Sequence, residues 1–421
     1  MDGRGISGGA AGDSGAAGAM AGAAVRPPRN RRRRAALLAP LAAGLLVLVT
    51  ACGGSGGDGK GGSVANAASA AVVTVAPDDG ATAVATSGAL KVSASDGKLT
   101  SVTVQDDEGR KVPGALSSDG KSWLPSHHLA GATKYRVHAV AKDGDGRESA
   151  KDVSFTTLVP KNTFTGHYTP ENGSTVGVGM PVSLRFTRGI TNPEAVEKAV
   201  EVTADPAVPV KGHWFGNDRL DFRPEEFWKP GTKVTVKLNL DGVEGRPGVY
   251  GKQAKSFTFT IGRSQISTVD ASAKTMTVVR DGQQIKTVPI TAGAPATTTY
   301  NGTMVISEKH KVTRMNGATV GFGGEYDIKD VPHAMRLSDS GTFLHGNYWA
   351  SAGTFGAQNV SHGCVGLRDV RGAGDSATPA AWFYDRSLLG DVVVVKNSKD
   401  KQIAPDNGLN GWNMPWSEWT K

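Results

Sequence analysis

Residues 343–369, FLHGNYWASAGTFGAQNVSHGCVGLRD, carry the densest pattern of reactive side chains in the chain. Cys364, one of only two cysteines in 421 residues, follows His362 and Gly363, and His345 lies upstream. A free thiol with a pKa of ~8.5 is only a few per cent ionised at neutral pH, so a nucleophilic cysteine needs a base. Histidine supplies that base, and glycine lets the backbone turn so that N–H groups face a developing oxyanion. The stretch predicts a thiol acyl-transfer site.

The spacing of these residues resembles the signature of a known family. HG at 345–346, a fourteen-residue spacer and SHGCV at 361–365 resemble the L,D-transpeptidase catalytic domain, which remodels bacterial peptidoglycan. SGTF at 340–343, WFYD at 382–385 and GDVV at 390–393 agree with that resemblance. The resemblance implies a mostly β catalytic domain.

The resemblance also implies a role for each residue of the motif. Cys364 is the nucleophile and His345 the general base, its ring oriented by the backbone carbonyl of Gly346. His362 shapes the site beside the nucleophile, with Ser361 positioning it. The backbone N–H groups of Gly363 and Cys364 are the expected oxyanion hole.

Residues around the motif are expected to form the substrate pocket. Tyr326, Phe343 and Trp349 match positions where relatives shape the donor site, although aromatic residues also serve as core. Gly366 is a departure, because several relatives have Asn or Arg two residues after the cysteine. His310 and His333 lie nearby, but no Cys or carboxylate spacing supports a zinc site, and we expect no metal or cofactor.

The implied reaction is acyl transfer in two steps. Cys364 attacks a tetrapeptide donor stem, and the side-chain amine of a neighbouring stem takes the acyl group, which gives a 3→3 cross-link. β-Lactams of the carbapenem type are the expected inhibitors. Two alternatives stay open: a cell-wall cysteine peptidase or carboxypeptidase with water as acceptor, and a non-enzymatic adhesion lipoprotein, which leaves the Cys–His pattern unexplained.

The rest of the chain predicts a mainly β protein. Short alternating runs bounded by Asp-Gly turns predict immunoglobulin-like sandwiches at 71–160 and 161–262, ahead of a catalytic domain at 263–397. A C-terminal extension, 398–421, is expected to pack on the catalytic domain.

Smaller features add further expectations. Asn-Pro-Glu at 192–194 predicts a short helix over 193–200. Residues 293–300 match the family's product loop, and the glycine-rich residues 309–333 are expected to form an irregular active-site lid. Trp214 and Trp228 are expected in a sandwich core rather than on a sugar platform.

The N-terminus predicts export. Arginines followed by an uncharged apolar run over 35–51 indicate an export signal at 1–51, and VTACG at 49–53 resembles a lipobox, which implies lipid on Cys52. Residues 52–70 are expected to be a flexible tether. The enzyme would then be anchored to the outer face of the membrane and act in the wall, with both sandwiches as a spacer.

The positive charge does not indicate nucleic-acid binding. The formal net charge is +8, but residues 1–34 contribute +5 of it. No basic stripe interleaved with aromatic residues remains in the rest of the chain.

Overall fold

The computed structural model describes residues 68–320 and 323–421. The predicted export signal, Cys52 and most of the predicted tether lie outside these residues. Ser69 and Ala70, placed in the tether by the sequence, hydrogen-bond to Arg147 and Asp143 of the first sandwich (2.8 and 3.0 Å). No helix within the described residues is long and apolar enough to cross a membrane.

The first sandwich pairs its strands in two sheets, β1-β3-β6-β5 and β2-β8-β7-β4. Val and Ala alternate with polar residues along these strands, so one face of each sheet is buried. Trp123, Tyr135 and Phe155 fill the core between them. The strands are β1 (Val72–Ala76), β2 (Ala81–Val84), β3 (Lys91–Ser95), β4 (Lys98–Asp106), β5 (Gly114–Leu116), β6 (Ser122–Pro125), β7 (Lys134–Lys142) and β8 (Glu148–Thr157).

The second sandwich has sheets β10-β12-β15-β14 and β11-β19-β16-β13, with a small sheet β17-β18-β9 at its side. Its strands are β9 (Asn162–Phe164), β10 (Gly166–Thr169), β11 (Thr175–Val176), β12 (Val182–Phe186), β13 (Val200–Asp205), β14 (Lys211–Phe215), β15 (Arg219–Arg223), β16 (Lys233–Asn239), β17 (Glu244–Arg246), β18 (Val249–Gly251) and β19 (Ala254–Ile261).

The predicted helix of the second sandwich is present as α1 (Pro193–Lys198). Asn192 occupies the N-cap position, but its side chain makes no capping hydrogen bond and instead donates to the Glu244 carbonyl (3.2 Å). Trp228 is buried in the core, as expected, and its Nε1 donates to the Met180 carbonyl (2.7 Å). Trp214 is half-buried and stacks on Phe186.

The third region forms one sheet in the order β23-β28-β20-β21-β22-β27-β26-β25-β24. Its strands are β20 (Gln265–Asp270), β21 (Thr275–Arg280), β22 (Gln283–Thr291), β23 (Gly302–Val305), β24 (Glu308–Asn316), β25 (Asp327–Arg336), β26 (Phe343–Asn347), β27 (Val365–Arg368) and β28 (Val392–Lys396); helix α2 (Pro379–Arg386) and the short α3 (Trp416–Trp419) follow in the chain. The mainly β prediction is confirmed.

The predicted irregular lid is wrong in its secondary structure. β24 and β25 form a long antiparallel hairpin across residues 308–336, with a register shift between Thr313 and Met315. Gly317, Gly323 and Gly324 lie at the hairpin tip, and the polar strand β24 lacks the alternation by which a half-buried strand is recognised.

The C-terminal residues contact two regions, whereas the sequence suggested the catalytic domain alone. Asn413 Oδ1 accepts from the Thr303 N–H and Asn410 Oδ1 from the Val305 N–H, both on β23. Trp419 is buried against the second sandwich, where its Nε1 donates to the Lys211 carbonyl (2.9 Å) and its ring stacks on His213.

Candidate active site

The residues predicted as nucleophile and base, Cys364 and His345, lie on or next to neighbouring parallel strands. His345 lies on β26, Cys364 immediately precedes β27, and the register pairs Leu344 with Val365 and His345 with Gly366. His345 and Cys364, nineteen positions apart in the sequence, are therefore brought together by two neighbouring strands. Both side chains line a cavity of about 390 Å³.

The His345 ring has a defined tautomer. Its Nδ1 lies 2.8 Å from the Gly346 carbonyl oxygen. Because a carbonyl only accepts, Nδ1 carries the proton and Nε2 of the neutral ring carries the lone pair. Burial lowers the pKa of His345, opposed by the Gly346 hydrogen bond and the charge of Asp369.

Cys364 rests as a thiol. Burial raises its pKa to about 11, while the Phe343 backbone N–H and the charge of Arg336 act in the opposite direction. In this conformation the thiol donates to the Gly341 carbonyl at 3.6 Å. A buried thiol and a buried neutral imidazole at one cavity favour the uncharged pair over a thiolate–imidazolium pair.

Ser361 and Gly363 set the turn that presents Cys364. Gly363 has φ +109°, a conformation that side chains rarely adopt. Ser361 Oγ donates to the Cys364 carbonyl (2.6 Å) and accepts from the Gly363 N–H (3.2 Å). The Gly363 N–H, expected in the oxyanion hole, therefore already has an acceptor in this state.

The loop 293–300 forms one side of this turn. The Ala294 N–H and Thr297 Oγ1 both donate to the Ser361 carbonyl at 2.8 Å. The family resemblance predicts that this loop lies near the site, but it assigns no role to Thr297.

His362 lies at the rim rather than in the interior. Its side chain is 41% exposed, and Nε2 is 3.3 Å from Glu325 at the tip of the β24–β25 hairpin. Its ring centroid is 5.1 Å from that of Tyr326. The side chain thus connects the motif to the hairpin.

The predicted pocket aromatics have different positions. Tyr326 and Trp349 line the cavity, and Trp349 stacks on the His345 ring with centroids 5.7 Å apart. Burial raises the pKa of Tyr326 to about 12. Phe343 is buried behind Cys364 and does not line the cavity.

Several residues near the site had no functional role in the sequence reading. Asn347 lines the cavity, and its Nδ2 lies 3.5 Å from the position that a Cβ at Gly366 would take. His333 and Asp369 form a buried pair, with Nδ1 to Oδ2 at 2.7 Å. Asp369 ends the motif stretch, and His333 was considered above only as a zinc ligand. The sequence does not suggest that they pair, because they lie 36 positions apart.

No cluster of three metal-ligating side chains occurs within residues 68–320 and 323–421. The arrangement instead offers a thiol, an unprotonated imidazole nitrogen and an apolar cavity with aromatic walls. These groups suit covalent acyl transfer.

Comparison with known proteins gives two family matches. Residues 264–395 match the L,D-transpeptidase catalytic domain, and residues 81–244 match a bacterial Ig domain, a range that spans both sandwiches. Among curated proteins, L,D-transpeptidase 2 of Mycobacterium tuberculosis (strain CDC 1551 / Oshkosh) is 35% identical over 82% of this chain and 83% of its own length.

Two further relatives cover different shares of the chain. L,D-transpeptidase 5 of Mycobacterium tuberculosis (strain ATCC 25618 / H37Rv) is 31% identical over 82% of this chain and 76% of its own length. A solved structure of an LD transpeptidase in complex with imipenem is 29% identical, with a TM-score of 0.46, and covers 55% of this chain and 97% of its own.

Proposed function

The chain belongs to the L,D-transpeptidase family and is a peptidoglycan L,D-transpeptidase that acts on the cell wall, and from this premise we propose that Cys364 is its nucleophile and His345 its general base. The observation that carries the assignment is the convergence of the two side chains on one cavity, with His345 Nε2 left as a proton acceptor. Ser361, Gly363 and Gly346 hold that geometry.

The acylation step uses these groups in turn. Sγ of Cys364 attacks the carbonyl between the third and fourth residues of a tetrapeptide donor stem, while the thiol proton moves to His345 Nε2. The imidazolium then gives this proton to the departing amine. The C–N bond breaks, D-alanine leaves, and a thioester remains on Cys364.

Backbone donors stabilise the tetrahedral intermediate. The Cys364 N–H is the first candidate, and the Gly363 N–H joins it by releasing Ser361 Oγ, 3.2 Å away in the resting state. The His345 imidazolium forms on a buried ring, 5% exposed, whose other nitrogen is held by the Gly346 carbonyl.

The second step returns the enzyme to its resting state. The side-chain amine on the third residue of a neighbouring stem attacks the thioester and gives its proton to His345, and the thiol leaves with a proton. The product is a 3→3 cross-link. Water in place of the amine would make the enzyme a carboxypeptidase.

Carbapenems are the proposed inhibitors. A related LD transpeptidase structure contains imipenem, and a strained amide is a suitable electrophile for Cys364. We expect one covalent adduct per chain by intact-mass analysis and none in Cys364→Ala. No adduct after prolonged incubation would argue against this pocket.

The proposal for the N-terminus is a lipid anchor. Residues 1–51 carry the pattern of an export signal, and Cys52 follows small residues typical of a lipobox. Metabolic labelling with a lipid precursor, compared between the natural chain and Cys52→Ala, tests it; equal labelling would exclude the anchor.

The decisive experiment is mass spectrometry of a disaccharide-tetrapeptide incubated with the enzyme. Dimer formation supports transpeptidation, tripeptide alone supports hydrolysis, and Cys364→Ala is expected to give neither while its thermal unfolding stays unchanged. Residual turnover within tenfold of the natural chain would reject Cys364 as nucleophile.

Two histidine variants separate the roles at the site. His345→Ala is expected to cost about 10²–10⁴-fold in rate, as for loss of a general base. His362→Ala is the control and is expected to cost less, because its ring lies at the rim. The reverse order would exchange the two roles.

A further inference from the structure

Beneath the base lies a buried ionisable pair that the proposed mechanism has not used. His333 lies on β25 and Asp369 follows β27, so the two reach each other from either side of β26, which carries His345. His333 Nδ1 is 2.7 Å from Asp369 Oδ2, and the side chains are 4% and 0% exposed. The pair is shielded from water.

Asp369 lies directly against the backbone that orients His345. A Cβ at Gly346 would lie 2.0 Å from Asp369 Oδ2, a distance that no side chain tolerates. Glycine at 346 is therefore what allows the carboxylate to approach. The same Gly346 residue provides the carbonyl that accepts the His345 Nδ1 proton.

The carboxylate is fixed by its other hydrogen bonds. Oδ1 accepts from the Val370 N–H (2.8 Å) and from Thr378 Oγ1 (3.0 Å), and Thr378 caps the N-terminus of α2. Asp369 thus has little freedom to move when the charge on His345 changes. A fixed, buried negative charge is suited to stabilising a cation that forms only during the reaction.

Other ionisable groups lie on the elements near the site. Those near the site from the neighbouring strands, the hairpin and the motif are His333, Arg336, Glu325, Tyr326, His362 and Cys364. Asp369 nonetheless provides the charge that most directly favours imidazolium, since its field raises the pKa of His345 against the effect of burial.

We propose that Asp369, held by His333, is a positioning residue that stabilises the His345 imidazolium formed when Cys364 gives up its proton. This inference rests on the proposed role of His345 as the base. It assigns the buried pair to the reaction in addition to its part in joining β25, β27 and α2.

The test compares pH profiles of kcat/KM for the full chain and for Asp369→Asn. In the resting enzyme the acid limb reports protonation of His345, which prevents it from accepting the thiol proton. Removal of the Asp369 charge lowers the pKa of His345, so the acid limb should move to lower pH by about 1 unit. The maximal rate should fall roughly tenfold, because the imidazolium is less stabilised.

Asp391→Asn is the matched control. Asp391 is also a buried carboxylate of this region, paired with Arg263 (2.7 Å) and remote from the cavity lining. It should lower the melting temperature and leave the acid limb in place. If Asp369→Asn lowers the melting temperature and the rate with an unmoved limb, Asp369 is purely structural and the proposal fails.

His333→Gln gives a second test that does not require Asp369→Asn to fold. Glutamine keeps an N–H donor for Asp369 Oδ2, so the carboxylate charge still acts on His345. The acid limb should stay in place or move to higher pH, and a shift to lower pH would overturn the proposal. In His345→Ala the limb should vanish; a persisting limb would refute the base assignment itself, a separate result.

Discussion

The two sandwiches have similar architecture but meet the rest of the molecule in different ways. The first keeps its own hydrophobic core and touches its neighbour at a small polar contact. The second shares a hydrophobic core with the catalytic sheet. Resemblance between sequence modules therefore says little about how tightly each is joined to the enzyme.

The contact of the first sandwich is narrow. Thr86 Oγ1 donates to the Gly242 carbonyl (2.7 Å), and His128 Nε2 is 3.1 Å from the Asp241 carbonyl. Gly242 packs against the Leu129 carbonyl, since a Cβ at position 242 would lie only 2.3 Å from that oxygen. A cleft of about 470 Å³ lies beside these contacts.

The contact of the second sandwich is a continuous core. Val305, Val392 and Leu409 of the C-terminal region pack in one cluster with the buried residues of the second sandwich. The backbones also meet, because the Gly177 N–H donates to Leu389 and the Gly179 N–H to Gly390 (2.7 and 2.9 Å). Cores of this kind do not separate without exposing apolar surface.

Because of this difference, only one of the two sandwiches fits the spacer that the sequence suggested. The first sandwich retains the properties of a spacer, since little of its core depends on its neighbour. The second is built into the catalytic unit. We therefore propose residues 161–421 as the smallest active piece.

Truncation is expected to give the largest effect. Residues 263–421 alone should fail to fold, because Val305, Val392 and Leu409 would lose their partners. Residues 161–421 should fold and keep the activity of the full chain on soluble muropeptides. Circular dichroism, thermal unfolding and product analysis of both pieces check this. If residues 263–421 alone were active and folded cooperatively, the second sandwich would not be part of the catalytic unit.

A matched pair of tryptophan variants comes next. Trp419→Ala and Trp123→Ala each remove a buried ring, at 1% and 4% exposure, and each should cost about 4 kcal/mol of unfolding free energy. Trp419→Ala should lower the temperature at which activity is lost, whereas Trp123→Ala should destabilise only the first sandwich.

Calorimetry with parallel activity measurements separates the two transitions. If Trp123→Ala inactivates the enzyme at the same temperature as Trp419→Ala, the first sandwich is coupled to the catalytic unit and the distinction between the modules fails.

The ion pair beside the shared core provides a smaller effect. Asp391 is 1% exposed and bonds to Arg263 and to the Leu388 N–H. Burial raises its pKa even beside Arg263, so the carboxylate depends on that partner. Arg263→Ala should cost about 3 kcal/mol by leaving the charge unpaired. Chemical denaturation measures the loss, and Arg136→Ala, at an exposed pair, is the control expected to change little.

The smallest expected effect is a pH dependence of the first contact. Burial lowers the pKa of His128 below its usual 6.5. The contact is therefore fully stabilised above about pH 6.5 and loses stability as the pH falls through the lowered pKa. Small-angle scattering measures how closely the first sandwich stays docked. The contact should loosen at acidic pH in the natural chain, and its pH dependence should be weaker in His128→Gln.

The fold class and the reactive residues follow from local patterns. Alternating apolar residues specify strands without reference to distant parts of the chain, and Asp-Gly turns punctuate the sandwiches. The resemblance of HG and SHGC to a family predicts Cys364 and His345 as the reactive residues, and the register of β26 and β27 brings them to one cavity. Helix 193–198 followed from Asn-Pro-Glu in the same way.

Other features depend on contacts between residues far apart in the sequence. The β24–β25 hairpin was missed because its polar strands lack alternation, and the ends of its ladder join residues 308 and 336. The contact between His333 and Asp369 was not predicted, because each alone is an ordinary polar residue and the two lie 36 positions apart. Only their burial on both sides of β26 makes them a pair.

The order of residues along the chain was enough to predict a β-rich L,D-transpeptidase, because strand alternation and the family resemblance of HG and SHGCV can both be read from short stretches of sequence. Only the folded structure shows which sandwich shares a core with the catalytic sheet and that the buried Asp369 carboxylate lies against Gly346. Both depend on which surfaces exclude water together, and water exclusion is a property of residues that meet only after the chain has folded.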